Sequence, residues 1–332
     1  MNRLDQYGHK LVTSIKEAGR HTLRRTLSSR GPITPFRRYK LNAMRNSRPA
    51  LFTLFLLLAP HLFSADLPVK WEELTAADFV TALHQAQGVC VLPFGIIEKH
   101  GPHLPLGTDL INIRYSVLHG TAQEYAVVFP EYYFGQIFEA KHEPGTLAYS
   151  ARLQLELLQE TTDEMGRNGC TKVLIANGHG GNNSMLPFFA QSQLATPHSY
   201  VVYIYQRGET PPGRPALKTK VDSHAGESET AHTLISRPDL VHLDRAASES
   251  GADRNRLDLP PGIYTGIWWY GKFPDHYAGD GAAATRELGE FDMKAAAANI
   301  ATAIRAIKAD QNSPRLQQEF FTNSKQPAQT KQ

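Results

Sequence analysis

The sequence of 332 residues is 41% hydrophobic and 20% charged, which is enough apolar content to bury the core of one large domain or two small ones. Its formal net charge is only +3, and the Lys and Arg residues concentrate in residues 1–48, where Asp5 and Glu17 are the only acids. The remainder is acidic, and this balance argues against a nucleic-acid-binding surface on the folded domain.

A short apolar segment follows the basic residues. Residues 51–65, LFTLFLLLAPHLFSA, are interrupted by Pro60 and His61 and fall short of the about 20 apolar residues that span a bilayer. A basic start, an apolar run and small residues at the end are typical of a secretory signal peptide. We therefore predict a leader over residues 1–65, with Met44 as a possible true start, and an exported protein that is periplasmic or secreted. The alternative is an uncleaved membrane anchor at residues 51–65, which would be the protein's one contact with a membrane.

Beyond the leader, short apolar runs alternate with amphipathic stretches. Helices are predicted over residues 75–87, with Thr75 as the N-cap, and over 111–126, 151–169, 185–195, 222–236 and 287–310. Strands are predicted over 88–96, 126–135, 171–177 and 200–206. This alternation predicts an α/β domain at residues 66–312, with a mostly parallel central sheet covered by helices on both faces. A polar C-terminal tail follows at residues 313–332.

The loop after the first predicted strand carries several ionisable side chains. In FGIIEKHGPHLPLGTDL, residues 94–110, Glu98 and His100 are two apart and point the same way in an extended segment. Glycines in this loop let it fold back, so that Asp109 can reach the same point. Carboxylate oxygen and imidazole nitrogen suit zinc, manganese or iron(II). The alternative is a helix N-cap by Asp109 with solvated charges around it.

Two further loops carry candidate ligands. His179 lies in NGHGGNN, where a predicted strand is followed by a helix, although a glycine-rich loop at such a place can instead cradle an anion. His224 and Glu229 lie in DSHAGESETAH, at the start of another helix, where acids commonly serve as capping residues. Because the carboxyl ends of parallel strands meet at one edge of a sheet, the loops that follow the first and third strands are expected to converge.

Nucleophilic catalysis by Ser or Cys is not indicated. The sequence has no GxSxG stretch, and Cys90 and Cys170 lie in apolar strand contexts that do not favour a thiolate. In an exported protein these cysteines can pair, or they can remain two buried thiols, and the sequence leaves both readings open. The loop TGIWWYGKFPDHYAGD places Trp268 and Trp269 where aromatic side chains either wall a substrate pocket or form a lid or a subunit contact.

Taken together, the stretches LPFGIIEKHGPHLPLGTD, EPGT, NGHGGN, HAGESET and AGDGAAAT resemble the creatininase (creatinine amidohydrolase) family, in the family's order and over about residues 70–310. The resemblance implies a three-layer α/β/α sandwich, a homo-oligomer that is often a hexamer, and a two-metal hydrolase centre. It also implies that Glu98, His100, Asp109 and His179 are metal ligands. Asp109 would bridge both ions, and His224 would transfer protons.

One loop departs from the pattern of creatininase proper. There the loop reads Asn-Gly-His-Tyr-Glu-Asn and its Glu is a ligand, whereas Gly180 and Gly181 stand at the Tyr and Glu places here. We expect Glu229 to supply the missing donor. The glycine version of the loop resembles other branches of the family, which include a formamide hydrolase of flavin and deazaflavin precursors and a peptide-maturation peptidase.

The sequence therefore predicts a metal-dependent amidohydrolase that cleaves the C–N bond of a cyclic amide, a formamide or a short peptide. Its cofactors would be two divalent metal ions that activate a water. Zinc is the first choice, and manganese or iron are the alternatives. The candidate substrate-binding residues are Gly180, Trp268, Trp269 and His142. The alternative is an exported, non-catalytic member of the same fold that binds a metal or a ligand.

Overall fold

A computed structural model describes residues 67–206 and 208–331, so the predicted leader at 1–65, with its possible start at Met44, lies outside the described residues. The strands are β1 (Val89–Phe94), β2 (Val127–Val128), β3 (Lys172–Asn177) and β4 (Val201–Tyr205). The α-helices are α1 (Ala76–Gln85), α2 (Thr108–Thr121), α3 (Ala151–Arg167), α4 (Met185–Ser192), α5 (Glu227–Ser236), α6 (Trp268–Lys272), α7 (Arg286–Ala309) and α8 (Asn312–Ser324). Within these described residues, no helix is both long enough and apolar enough to cross a bilayer.

The central sheet is parallel, with the strand order β2-β1-β3-β4. β1 and β3 are neighbours in a register that pairs Val89 with Lys172 and Phe94 with Asn177. Both strands are buried along their whole length, as the continuous apolar runs predicted. Side chains alternate along a strand, so β1 contributes to a hydrophobic core on each face of the sheet. Cys90 and Leu92 pack on one face and Val91 packs on the other.

Helices cover both faces of the sheet. α1, α3 and α4 pack on the face of Cys90 and Leu92, whereas α2 and α7 pack on the opposite face through residues such as Ile113, Val117 and Ile300. α5 lies against α2 and α7. Each fully buried Ile or Leu side chain contributes about 1.5–3 kcal/mol through the hydrophobic effect. The three-layer α/β/α sandwich with a parallel sheet, predicted above, is confirmed.

A disulfide joins Cys90 in β1 to Cys170, just before β3. The sequence left this pairing open because it does not fix the distance between the cysteines. The sheet does fix it, since β1 and β3 are neighbours and both cysteines lie near the amino ends of these strands. Both residues are buried within one apolar cluster. The bond therefore lies at the opposite end of the strands from the loops that carry the ionisable residues.

Several element boundaries differ from the expectation. The strand predicted over 126–135 is limited to Val127–Val128, because Pro130 has no N–H to donate to a ladder. The polar C-terminal segment contains helix α8, in which the Gln317 side chain donates a hydrogen bond to the Tyr200 carbonyl at 2.9 Å. The aromatic loop contains the short helix α6. Thr75 caps α1 as predicted, since its Oγ1 accepts a hydrogen bond from the Asp78 N–H.

Two glycines let the start of α2 lie directly on the carboxyl ends of β1 and β3. A Cβ on Gly95 would be 2.5 Å from the Cα of Leu110, and a Cβ on Gly178 would be 2.6 Å from the Cβ of Ile113. Any larger residue at either position would therefore push α2 away from the sheet. This close approach brings Asp109, in the first turn of α2, to the edge where the two strand-end loops meet.

Candidate metal centre

Four segments bring the predicted ligands together at the carboxyl edge of the sheet. Glu98 and His100 follow β1, Asp109 lies in the first turn of α2, His179 follows β3, and Glu229 lies in the first turn of α5. Glu98 and His100 are fully buried, whereas the Glu229 side chain keeps 29% of its surface exposed. The expected convergence of the loops is present. Glu229 forms the most accessible side of the cluster.

One group of donor atoms consists of Glu98, Asp109 and His179. The Nδ1 atom of His179 lies 2.9 Å from Glu98 Oε1 and 2.9 Å from Asp109 Oδ2. With the neutral His179 ring carrying its proton on Nε2, these two buried oxygen atoms accept no hydrogen bond. A buried carboxylate oxygen without a donor is costly unless a positive charge compensates it. The three atoms therefore form a set that a divalent cation would satisfy.

A hydrogen bond at Nε2 of His179 fixes the tautomer of its imidazole. Its Nε2 lies 3.0 Å from the carbonyl oxygen of Gln136, which can only accept, so Nε2 carries the proton. In the neutral ring, Nδ1 then presents its lone pair to Glu98 and Asp109. A histidine ligand held by a backbone carbonyl through its second nitrogen is the usual arrangement at metal sites, because that bond sets the tautomer and the ring orientation.

A second group of donor atoms surrounds His100. Its Nδ1 faces the carbonyl oxygen of Glu98 at 3.2 Å and therefore carries the proton, so that in the neutral ring Nε2 presents its lone pair. This Nε2 lies 3.3 Å from Asp109 Oδ1 and 4.0 Å from Glu229 Oε2. Asp109 thus presents one oxygen to each group. Glu229 Oε2 is held in place by the N–H of Ala225 at 2.5 Å, in a turn where Ala225 has a φ of 52°.

The electrostatics of the cluster favour positive charge. Burial lowers the pKa of His179, but Glu98 and Asp109 outweigh it and raise this pKa well above its ordinary value. Burial also lowers the pKa of His100, but the neighbouring carboxylates outweigh burial and raise this pKa to about 9. Burial raises the pKa of Glu98, yet the nearby histidines bring it well below its ordinary value. For Glu229, burial dominates and raises the pKa to about 7. Protons and metal cations compete for such donors.

His224 lies beside both groups. Its Nε2 donates to the Lys99 carbonyl at 2.9 Å, so the neutral ring turns a bare Nδ1 towards Glu229 Oε2, 3.7 Å away, and Glu98 Oε1, 4.0 Å away. Burial, opposed by Glu98 and reinforced by His100, lowers the pKa of His224 to about 3. The imidazole is therefore neutral, with its basic nitrogen facing the cluster.

The predicted substrate-binding residues lie around the cluster at different distances. Trp269 makes an edge contact with the His224 ring, with centroids 5.9 Å apart, and Trp268 packs against Trp269. Trp268 and His142 line a cavity of about 500 Å³, whereas Trp269 does not contribute to its wall. Gly180 is exposed, and a Cβ there would meet no atom within 4 Å. Of the two tryptophans, Trp269 is the one that contacts His224 directly.

The sequence reasoning missed one residue of the site. His276 is buried, and its Nε2 lies 2.5 Å from Glu98 Oε2, across 178 residues of chain. The sequence places His276 in the aromatic loop TGIWWYGKFPDHYAGD but does not indicate its contact with Glu98. The one available signal was the position of His276 two residues before the AGDGAAAT stretch that carries part of the family resemblance.

The fold and the donor atoms define an α/β/α protein with a candidate metal centre at the carboxyl edge of a parallel sheet. The sequence matches the family model described as "Creatininase: Creatinine amidohydrolase" over residues 72–304. The chain therefore belongs to the creatininase family, as its motifs indicated.

Individual relatives agree with this assignment. The chain is 30% identical over 169 residues to the mycofactocin precursor peptide peptidase of Mycolicibacterium smegmatis, a match that covers 49% of this chain and 63% of that protein. It is 24% identical over 257 residues to the creatinine amidohydrolase of Pseudomonas putida, with coverage of 70% and 95%. A solved structure named "Creatininase Mn" matches with a TM-score of 0.58 at 21% identity, over 74% of this chain and 100% of that one. This structural similarity shows the fold.

Proposed function

We propose that this protein is a metal-dependent amidohydrolase that cleaves the C–N bond of a cyclic amide, a formamide or a short peptide. The observation that carries the proposal is the 2.9 Å approach of His179 Nδ1 to two buried carboxylate oxygens that accept no hydrogen bond. The names of the relatives, a peptide peptidase and a creatinine amidohydrolase, support hydrolysis of an amide bond.

The donor set fits two divalent cations. Glu98, Asp109 and His179 would hold one ion. His100 and Glu229, with Asp109 as a shared ligand, would hold the other. Mixed carboxylate and imidazole donors suit zinc, manganese or iron(II). Glu229 would take the place of the donor that the glycine loop cannot supply.

The cations, when bound, would supply Lewis acidity that lowers the pKa of a water and polarises the amide carbonyl. His224 would move the proton: its bare Nδ1 faces the cluster, while its Nε2–H is anchored on the Lys99 carbonyl. That anchor holds the imidazole in one orientation, from which Nδ1 can take a proton and deliver it to the leaving nitrogen. The burial of Glu98 and His100 excludes bulk water from the same region.

The remainder of the substrate would lie in the cavity of about 500 Å³ beside the centre. Gln136 connects the two regions, because its carbonyl oxygen holds His179 and the residue also lines the cavity. Aromatic side chains, among them Trp268 and Tyr270, wall this cavity and would bind an apolar or planar group next to the scissile amide.

The proposal is tested by metal analysis of the purified full chain, combined with a hydrolysis screen of cyclic amides, formamides and short peptides. We expect bound transition metal, and activity that a chelator abolishes and Zn²⁺, Mn²⁺ or Fe²⁺ restores. Asp109→Asn should lose both the metal and the activity, whereas Asp244→Asn, at an exposed position, should retain both. Hydrolysis by metal-free protein, or full activity of Asp109→Asn, would contradict the proposal.

A further inference from the structure

Among the residues that the structure describes, His276 is the one titratable residue in contact with Glu98 that the proposed mechanism leaves without a role. It is only 2% exposed and has a φ of 47°, a left-handed conformation that is uncommon for non-glycine residues, although His adopts it more readily than most. Its ring lies between Trp269 and Glu98: Trp269 Nε1 is 2.9 Å from Nδ1, and Glu98 Oε2 is 2.5 Å from Nε2.

The proton positions in this chain of contacts follow from the chemistry of its two ends. The indole N–H of Trp269 can only donate, so Nδ1 of His276 accepts. The remaining nitrogen, Nε2, then carries the ring proton and donates it to Glu98 Oε2. Both nitrogens of His276 are therefore engaged. His276 could become a metal ligand only by giving up one of these hydrogen bonds.

The two oxygens of Glu98 thus have different surroundings. Oε2 accepts from His276, whereas Oε1 accepts no hydrogen bond and lies 2.9 Å from His179 Nδ1. A neutral donor on Oε2 fixes the carboxylate plane and leaves the negative charge available on Oε1. An ionic partner at the same place would instead neutralise that charge.

We propose that His276 is a positioning residue that holds Glu98 with Oε1 directed into the metal centre, and that Trp269 fixes the tautomer of His276. This inference rests on the proposed function, because orienting Oε1 matters only if a cation binds there. Trp269 then acts through His276 rather than as a wall of the substrate cavity. This role agrees with its absence from the residues that line that cavity.

The test compares binding of Zn²⁺ and Mn²⁺ to the full chain and to four variants, by competition with a chromogenic chelator. His276→Leu removes the donor to Glu98, and we expect metal affinity to fall about tenfold to a hundredfold. His276→Gln keeps an N–H near the position of Nε2 and should recover most of the affinity. A purely structural role of the imidazole would not produce this rescue.

Trp269→Phe and Trp268→Phe form a matched pair for the second half of the proposal. Each removes one indole N–H, but Trp269 donates to His276 whereas Trp268 donates to the hydroxyl of Tyr264. We expect weaker metal binding for Trp269→Phe and wild-type binding for Trp268→Phe. If His276→Leu fails to fold, this pair still tests the positioning role of His276. Unchanged metal affinity of Trp269→Phe would overturn the inference.

The outcomes separate this inference from the proposed function. If the wild-type chain binds none of Zn²⁺, Mn²⁺ and Fe²⁺, both are overturned. If the wild-type chain binds metal and hydrolyses an amide, but His276→Leu binds metal equally well, only the positioning role of His276 is overturned. Equal losses in His276→Leu and His276→Gln would also contradict it, because the donor would then not be the relevant feature.

Discussion

Gly181 packs directly against the imidazole of His179. A Cβ at position 181 would overlap His179 Nε2 and stand 2.9 Å from the carbonyl oxygen of Gln136. These two atoms form the hydrogen bond that fixes the His179 tautomer. The glycine at the position where creatininase proper has a Glu therefore does more than omit a ligand: in this loop conformation it provides the room in which His179 is held.

We predict that Gly181→Ala weakens metal binding by about tenfold to a hundredfold, because it displaces His179 or breaks the bond to Gln136. Gly180→Ala is the matched control, since a Cβ there would meet no atom within 4 Å and should leave metal affinity unchanged. Chelator competition with Zn²⁺ measures both variants. Equal affinities for the two variants would show that the close packing at Gly181 has no influence on the centre.

A second prediction separates proton transfer from metal binding at His224. Its Nδ1 lies 3.7 Å or more from the carboxylate oxygens, whereas His179 Nδ1 approaches its oxygens to 2.9 Å. We expect His224→Ala to lower kcat by about 10²–10⁴-fold while the metal content stays close to that of the wild type. His84→Ala, at an exposed position of α1, should change neither quantity.

This variant also discriminates against the alternative of a non-catalytic binding protein. Loss of turnover with retained metal would agree with an enzyme in which His224 carries protons. A parallel loss of metal and activity would instead make His224 a ligand, consistent with its place in a donor group with His100 and Glu229. A wild-type chain that binds metal but hydrolyses none of the three amide classes would favour the binding protein.

Local patterns predicted much of the fold and the contact between distant ligands. The apolar runs of β1 and β3 are continuous because both strands are buried on both faces, and this property is visible in the sequence. Parallel strands end at one edge, so the loops carrying Glu98 and His179 had to meet. The 2.9 Å distance between His179 Nδ1 and Glu98 Oε1 shows that they do.

Contacts that depend on tertiary packing could not be predicted in the same way. His276 has a left-handed backbone conformation, and its loop folds back over the centre. This tertiary arrangement brings its side chain to Glu98. The pairing of Cys90 with Cys170 depends on β1 and β3 being neighbours, which no local pattern states. The strand predicted over 126–135 was too long. Strand pairing requires backbone N–H donors, and Pro130 has none to contribute.

A third prediction concerns acid stability at Asp292 in α7. Burial raises the pKa of this carboxyl, but hydrogen bonds from His232 and Arg214 outweigh burial and hold the pKa at about 2. Because this value lies below the about 3.9 of an unfolded Asp, the contribution to stability is present above pH 4 and is lost as the pH falls towards 2. Asp292→Asn should lower the free energy of unfolding at pH 7 by about 1–3 kcal/mol.

Urea unfolding at several pH values measures this difference. The gap between the wild type and Asp292→Asn should shrink as the pH falls from 4 towards 2. Asp239→Asn is a useful control, because its partner Arg237 lies in an exposed pair and the substitution should have no measurable effect. A gap that widens on acidification would mean that the pKa of Asp292 is raised in the folded protein, contrary to our assignment.

A fourth prediction concerns the disulfide between Cys90 and Cys170. It joins residues 80 positions apart, so it restricts the unfolded chain strongly, and we expect its loss to cost about 2–5 kcal/mol. Urea unfolding with and without a reductant measures this cost while both sulfur atoms stay in the core. The double variant Cys90→Ala/Cys170→Ala is the control and should not respond to the reductant. Coincident wild-type curves would contradict the contribution of the bond.

The same disulfide supports our proposal that the protein works outside the cytoplasm, as the leader at residues 1–65 predicts, because structural disulfides persist mainly in oxidising compartments. Thiol labelling of denatured protein from fractionated cells tests this proposal. Export predicts unlabelled Cys90 and Cys170 in protein recovered from the periplasm or the medium, and a mature N-terminus near residue 66. Labelled cysteines in cytoplasmic protein that still begins before residue 50 would contradict both the export and the signal peptide.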